Sequence, residues 1–260
     1  MEKARIHSIE TMGLVDGPGV RVVVFMQGCK LRCAYCHNPD TWNLDGGYEI
    51  TTGELLKKVK RYMPYFKNSG GGVTLSGGDP LLQPEFVAEF FRMCREEGIH
   101  TTLDTSGYGL GEYDEILKYT DLVLLDIKHI DEDEHKKLTG QGRHGFLEFL
   151  EALKRNNTKL WIRHVVVPGI TDGEEHIRRL AEYINTIPNV EKVELLPYHT
   201  HGVNKYEKLN IKYRLEGVEP LSRERLEYLY EILNKVLHRR EETQSRFKFA
   251  KDTSDSSKAI

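Results

Sequence analysis

Cys29, Cys33 and Cys36 stand at C-x3-C-x2-C within Cys29-Lys30-Leu31-Arg32-Cys33-Ala34-Tyr35-Cys36-His37. Three thiolates on one short loop can hold three irons of a cubane cluster, which leaves the fourth iron without a protein ligand. Clusters that only carry electrons are usually closed by four cysteines, so an open iron points to chemistry on a bound substrate. Zinc is the competing reading. A structural zinc site takes four ligands, normally from two separated knuckles. The one later cysteine, Cys94, falls inside an expected helix, where it reads as a buried core thiol, and His37 abuts Cys36 too closely for an unstrained shell.

Other polar groups recur directly after short apolar runs. Ser76-Gly77-Gly78-Asp79-Pro80 follows Val73-Thr74-Leu75, and Asp104-Thr105-Ser106-Gly107 follows His100-Thr101-Thr102-Leu103. Asp126-Ile127-Lys128 follows Leu122-Val123-Leu124-Leu125. His164 and Val167-Pro168-Gly169 close the run from Leu160, and Pro197-Tyr198-His199 follows Val193-Glu194-Leu195-Leu196. The cysteine loop itself follows Val22-Val23-Val24-Phe25-Met26. In parallel α/β barrels the active groups sit at the C-terminal ends of the strands, and this pattern matches that rule.

The runs read as six short strands. Helical patterns separate them: Thr52 to Phe66, with Thr52 as N-cap, Pro84 to Glu97, and Tyr113 to Tyr119. Two more stretches, about Asp133–Leu138 and Gly145–Arg155, precede Glu174–Thr186 and a final helix, Ser222–His238. A further strand starts near Ile6, and a long loop is expected after Leu196. Strands alternating with helices imply right-handed crossovers and a parallel sheet. Periodicity alone does not separate an open sheet from a barrel.

The chain has 260 residues, 39% hydrophobic and 30% charged, with net charge −3. That length suits one α/β domain over residues 1–240, and the polar stretch 241–260 reads as a flexible tail. The charge gives no bulk attraction to nucleic acid or anionic membrane. No apolar segment approaches a membrane span and no signal peptide is visible, so a reducing cytoplasm is expected.

The cysteine spacing, with an aromatic before the last cysteine, resembles the signature of the radical S-adenosylmethionine (SAM) superfamily. Val15-Asp16-Gly17-Pro18-Gly19-Val20-Arg21 and Tyr35-Cys36-His37-Asn38-Pro39-Asp40-Thr41-Trp42 narrow the resemblance to the activating enzymes of glycyl radical enzymes. It runs from about Ile6 to about Leu237. Only 15 residues separate Cys36 from Thr52, without a second cysteine cluster. That resembles the short type, which acts on pyruvate formate-lyase.

The resemblance implies a partial (β/α)6 barrel, its parallel sheet open on one side. It implies one [4Fe-4S] cluster on Cys29, Cys33 and Cys36, and SAM chelated to the open iron. One electron then cleaves the S–C5′ bond and yields a 5′-deoxyadenosyl radical, which abstracts a glycine hydrogen. No acid–base pair or nucleophile is needed, so no catalytic residue is expected beyond the cluster and SAM. Implied SAM contacts are Tyr35, Cys36 and His37 around adenine, and Gly77 and Gly78 at the methionine amino group. Asp104, Asp126, Ile127, Lys128 and His199 complete them, with His201 as a rival to His199. Asp104 and Thr105 are implied to hold a monovalent cation, and Asp16 to meet the protein partner. Reduced flavodoxin or a similar protein is the implied electron donor.

Some positions stay open. Asp79 stands where relatives carry Glu. Arg163 is either a rim arginine paired to an acid or a group that orients SAM or the partner's peptide. His164 reads as a satisfied core or rim histidine. Three alternatives remain: an activating enzyme of another glycyl radical enzyme, a radical SAM enzyme acting on a small molecule, and a zinc-binding interaction domain.

Overall fold

The computed structural model describes residues 1–237; the expected tail at 241–260 lies outside them. Eight strands form one sheet: β1 Lys3–Gly13, β2 Arg21–Met26, β3 Tyr48–Thr51, β4 Gly72–Gly77, β5 His100–Thr105, β6 Leu122–Asp126, β7 Leu160–Val166 and β8 Val190–Pro197. Their order is β3-β1-β2-β4-β5-β6-β7-β8. The six strands read from the sequence, β2 and β4 to β8, are parallel neighbours throughout. β1 runs antiparallel to β2 and to β3. With β3 and β8 at its two edges the sheet does not close, as the expected open partial barrel requires.

The helices are α1 Thr52–Val59, α2 Met63–Ser69, α3 Pro84–Glu96, α4 Tyr113–Leu117, α5 Glu132–Thr139, α6 His144–Asn156, α7 Glu174–Asn185, α8 Val203–Lys208 and α9 Arg223–Val236. The stretch from Thr52 to Phe66 is therefore not one helix. A 3-10 turn at Lys60–Tyr62 interrupts it, and Pro64, which has no N–H to donate, falls in the first turn of α2. The N-cap of α1 is Thr51, not Thr52. Thr51 accepts from the Glu54 N–H, and the Glu54 carboxylate accepts from the Thr51 N–H, a reciprocal capping box. The loop after β8 contains α8, which the sequence reading missed.

Side chains alternate across the sheet. Val22, Val24, Val73, Leu75, Leu103, Val123, Leu125 and Ile162 form one buried layer with the helices. The other face mixes buried Val23, Leu122 and Leu124 with a layer of polar groups. The parallel register sets Thr74 beside Thr102 and aligns Asp126, Arg163 and Glu194 in one row; its parity puts Ser76 and Asp104 on the same face. Such a concave polar layer at the strand ends has to be filled with hydrogen bonds or ligand, because buried polar groups are costly when unpaired.

Candidate active site

The cysteine loop is pinned to the scaffold by backbone hydrogen bonds. Gly28 and Cys29 donate to the carbonyls of Thr41 and Trp42, at 2.7 and 3.3 Å. Arg32 and Ala34 donate to Thr139 and Leu138, at 2.7 and 2.9 Å, which ties the loop to the end of α5. On its other side α8 clamps it: the Tyr206 hydroxyl donates to the Cys36 carbonyl at 2.9 Å, and Lys205 bonds Asn38 and Asp40.

Gly77 and Gly78 are required by this packing. Gly77 has φ +105°, and a Cβ there would lie 2.4 Å from the Met26 nitrogen. A Cβ on Gly78 would lie 2.0 Å from the Gly28 carbonyl oxygen. The backbone that approaches these glycines is the chain's own, at the end of β2 and the start of the cysteine loop.

Asp79 donates its N–H to that same Gly28 oxygen at 2.7 Å. Its buried carboxylate accepts from the Thr105 hydroxyl at 2.7 Å, the Ser106 hydroxyl and N–H at 2.8 and 3.2 Å, and the Leu81 N–H at 3.2 Å. Burial raises its pKa against these four donors. The Thr105 side chain is thereby turned to Asp79, while Asp104 turns to the concave face. The structure does not bring the two side chains together.

Asp104 accepts from Ser76 at 2.7 Å and faces Arg163 at 3.7 Å. Burial pushes its carboxyl up to about 6, with Arg163 pulling the other way. Arg163 also bonds Glu194 at 3.2 Å and the Val15 carbonyl, so it is an arginine paired to acids, buried rather than on the rim. The segment with Asp16 lies over this polar layer: Thr74 donates to the Asp16 carbonyl at 2.6 Å. Burial raises the Asp16 carboxyl, with Arg163 and Arg21 opposing. Leu14 and Val15 beside it are exposed.

Lys128 and Asp126 form a salt bridge at 2.6 Å. The Lys128 ammonium lies 5.7 Å over the Tyr35 ring, whose buried hydroxyl has no hydrogen-bond partner among the described residues. Ile127 is buried and donates its N–H to the Arg163 carbonyl at 2.9 Å. His37 stacks on His199 at 3.9 Å between centroids, and His201 follows at 4.3 Å from His199. Burial and the His199 ring lower His37 to about 4. His164 is a satisfied core group, fully buried between the Ile127 carbonyl at 2.6 Å and His176 at 3.1 Å. Cys94 is buried in α3.

Sequence reasoning missed Arg21. It is fully buried and bonds Thr74 at 3.0 Å, Thr102 at 2.7 Å and the Pro18 carbonyl at 3.4 Å, which anchors the Asp16 segment. Its place directly after Asp-Gly-Pro-Gly and before an apolar strand was the available signal.

The donor chemistry fits an iron–sulfur cluster. Burial pushes all three loop thiols up, Cys33 to about 12, so none ionises alone near neutral pH. A multivalent iron centre supplies the positive charge that replaces those protons. Among the described residues no three His, Cys, Asp or Glu side chains are drawn together as a metal shell. The fit therefore rests on the loop and its thiols, not on preset sulfur geometry. The unpartnered Tyr35 hydroxyl beside Lys128 marks a polar spot suited to a ligand.

The model of the Radical SAM superfamily matches residues 23–181. The pyruvate formate-lyase-activating enzyme of Clostridium pasteurianum is 61% identical over 237 residues, which are 91% of this chain and 100% of that protein. The pyruvate formate-lyase 1-activating enzyme of Escherichia coli K12 is 48% identical over 239 residues, 90% of this chain and 97% of that one. A solved domain of the pyruvate-formate lyase-activating enzyme from Bacteroides vulgatus superposes with a TM-score of 0.53 at 28% identity. It covers 64% of this chain and 95% of that domain. The loop, the open parallel sheet and these matches agree: the chain belongs to the radical SAM superfamily and, within it, to the family of pyruvate formate-lyase-activating enzymes.

Proposed function

We propose that this chain activates pyruvate formate-lyase by generating a glycyl radical on it. The observation that carries the reading is 61% identity along the whole length of a relative of that name, joined to a three-cysteine loop at the C-terminal end of β2. When bound, the [4Fe-4S] cluster and SAM supply one-electron cleavage of the S–C5′ bond and the species that removes the glycine hydrogen. The chain's own residues bind, orient and exclude water.

Cys29, Cys33 and Cys36 are the cluster ligands in this reading. Gly77 and Gly78 bring backbone up to the methionine end of SAM. Asp104 and Lys128, held in their ion pairs, and His199, stacked on His37, meet its polar groups by charge-assisted hydrogen bonds. Asp126 fixes Lys128, and Ile127 is the apolar wall between them. Tyr35 and His37 flank the adenine. Asp104 holds a monovalent cation in this reading, without the Thr105 hydroxyl, which is committed to Asp79. Asp16, on a segment laid over the concave layer, meets the partner's glycine-bearing loop. A reduced flavodoxin-like protein supplies the electron. Among the described residues no helix is long and apolar enough to cross a membrane, in keeping with a cytoplasmic reading.

The test is electron paramagnetic resonance on the anaerobically reconstituted, reduced protein with SAM and pyruvate formate-lyase. The expected result is a glycyl radical doublet that needs all three components. Substituting Ala for Cys29, Cys33 or Cys36 should abolish it, and Cys94→Ala should keep it. SAM cleavage without a doublet would redirect the reading to another glycyl radical enzyme. Cleavage retained in a loop-cysteine variant would overturn the site.

A further inference from the structure

A groove of about 650 Å3 opens beside the cysteine loop and shares no residue with the concave polar layer. Cys29 forms part of its wall. Trp42, another wall residue, accepts the Cys29 N–H on its carbonyl at 3.3 Å. One of the three loop cysteines is thus part of this surface itself.

The groove is apolar where it is open. Leu44, Leu110, Leu209 and Ile211 line it and are 52, 61, 42 and 36% exposed. Its wall holds two cations and two acids, and its unpaired charge is mainly basic. Lys30 and Arg32 belong to the wall, and exposed Lys208 and Lys212 adjoin Leu209 and Ile211. Lys30 and Arg32 bond backbone carbonyls, Arg32 also covers the Trp42 ring, and none of the four cations pairs with a carboxylate among the described residues. Of the acids here, Asp40 is engaged by Lys205 and His7, which leaves Asp45 and the neighbouring Glu207. A local positive excess on a chain of net charge −3 is a directed feature.

We propose that this groove is the docking surface of an acidic one-electron donor protein. The inference rests on the proposed function, which consumes one electron from outside at each reductive cleavage. An electron enters most readily where a cluster ligand reaches the surface, and Cys29 does so here. Redox partners meet over small interfaces, below about 1,200 Å2, and unpaired charges steer them into place. A compact apolar floor with a basic rim suits such an encounter.

The experiment measures SAM cleavage by the cluster-loaded protein with two reductants, dithionite and a reduced flavodoxin as the acidic probe. Leu110→Glu puts a negative charge on the floor, and Lys212→Glu reverses the charge next to Ile211 in the chain. Both are expected to lower the flavodoxin-driven rate tenfold or more and to leave the dithionite-driven rate within twofold. Added salt should slow the flavodoxin-driven reaction of the unaltered protein and spare the other. Equal rates in variant and parent with flavodoxin, or equal losses with both reductants, would overturn the inference. So would variants that cleave SAM normally with either reductant and fail only to activate pyruvate formate-lyase, since the groove would then seat that enzyme. A parent protein that cleaves no SAM with dithionite would overturn the proposed function itself, and this inference with it.

Discussion

Arg163 on β7 and Asp104 on β5 face each other at 3.7 Å across the concave layer, and the same guanidinium holds Glu194 at 3.2 Å and the Val15 carbonyl. One cation therefore pairs with two partly buried carboxylates, sharing Glu194 with Lys192, and fastens the segment that carries Asp16. Arg163→Gln removes the cation and leaves the carboxylates close together. Breaking a buried pair from one side costs about 3–5 kcal/mol. A melting point lower by roughly 10 °C is expected at about 2–4 °C per kcal/mol. Asp104 should also titrate above its present value of about 6, since Arg163 lowers it more than the Ser76 hydrogen bond does. Arg163→Lys should restore only part of the loss, because one ammonium cannot span three acceptors as the planar fork does. A melting point unchanged in Arg163→Gln would refute the hub.

The contact between Gly78 and the Gly28 carbonyl predicts how the cysteine loop fails. In Gly78→Ala the new methyl meets backbone at 2.0 Å, and the loop has to move. Iron and acid-labile sulfide after reconstitution should fall well below four per chain. Gly70→Ala is the control. Gly70 has φ +69° with nothing within 4 Å of an added Cβ, so its cost is the conformational one, about 1 kcal/mol, with iron loading kept. Normal iron content in Gly78→Ala would show that the loop tolerates displacement.

What the sequence disclosed here follows the strength of local signals. The apolar runs Val22–Met26 and Leu122–Leu125 are continuous because strands of a covered parallel sheet are buried on both faces along much of their length. They could be read without partners. β3 could not: Tyr48-Glu49-Ile50-Thr51 buries only Ile50, and it is a strand because it pairs with Lys3–Ile6. α8, six residues long, is likewise held by Tyr206 and Lys205 reaching back across about 170 positions to the cysteine loop. At the site, residue types and their places at strand ends were legible. The division of labour was not. Thr105 bonds Asp79 while its neighbour Asp104 bonds Ser76 and Arg163, and that split comes from strand alternation at a β5 end whose register the sequence does not state.

The pair His164–His176 predicts a stability loss in acid. Their Nε2 atoms lie 3.1 Å apart, and His164 Nδ1 faces the Ile127 carbonyl, so the folded chain holds both rings neutral. Burial lowers His164 to about 4 and His176 to about 3. In the unfolded chain both return to near 6.5. Their contribution is thus complete above pH 6.5 and is lost as pH falls toward 4, where the unfolded state binds more protons. Between pH 6.5 and 5 the loss is roughly 2 kcal/mol for each ring that stays neutral. Asp131, Arg179 and His129 flank the pair and are unchanged in His176→Gln, which can still donate to His164. Urea unfolding across this range should show a shallower pH slope in that variant. Identical slopes would remove the pair from the acid response.

Asp79 has its carboxylate satisfied by the chain's own donors, without a ligand. Four donors converge on its carboxylate, from Leu81, Thr105 and Ser106, and its N–H reaches the loop at Gly28. Asp79→Asn turns one acceptor into a donor that opposes those already there. Leaving buried donors unpaired costs about 1–3 kcal/mol, so the melting point should drop by several degrees. Asp79→Glu forces a methylene into a site with no exposure and should cost a similar amount, about 1–3 kcal/mol. If the role is to join the turns after β4 and β5, the apparent SAM affinity of each folded variant should stay within about threefold of the parent while stability falls. The opposite pattern, unaltered stability with SAM affinity lost, would place the carboxylate on the ligand instead.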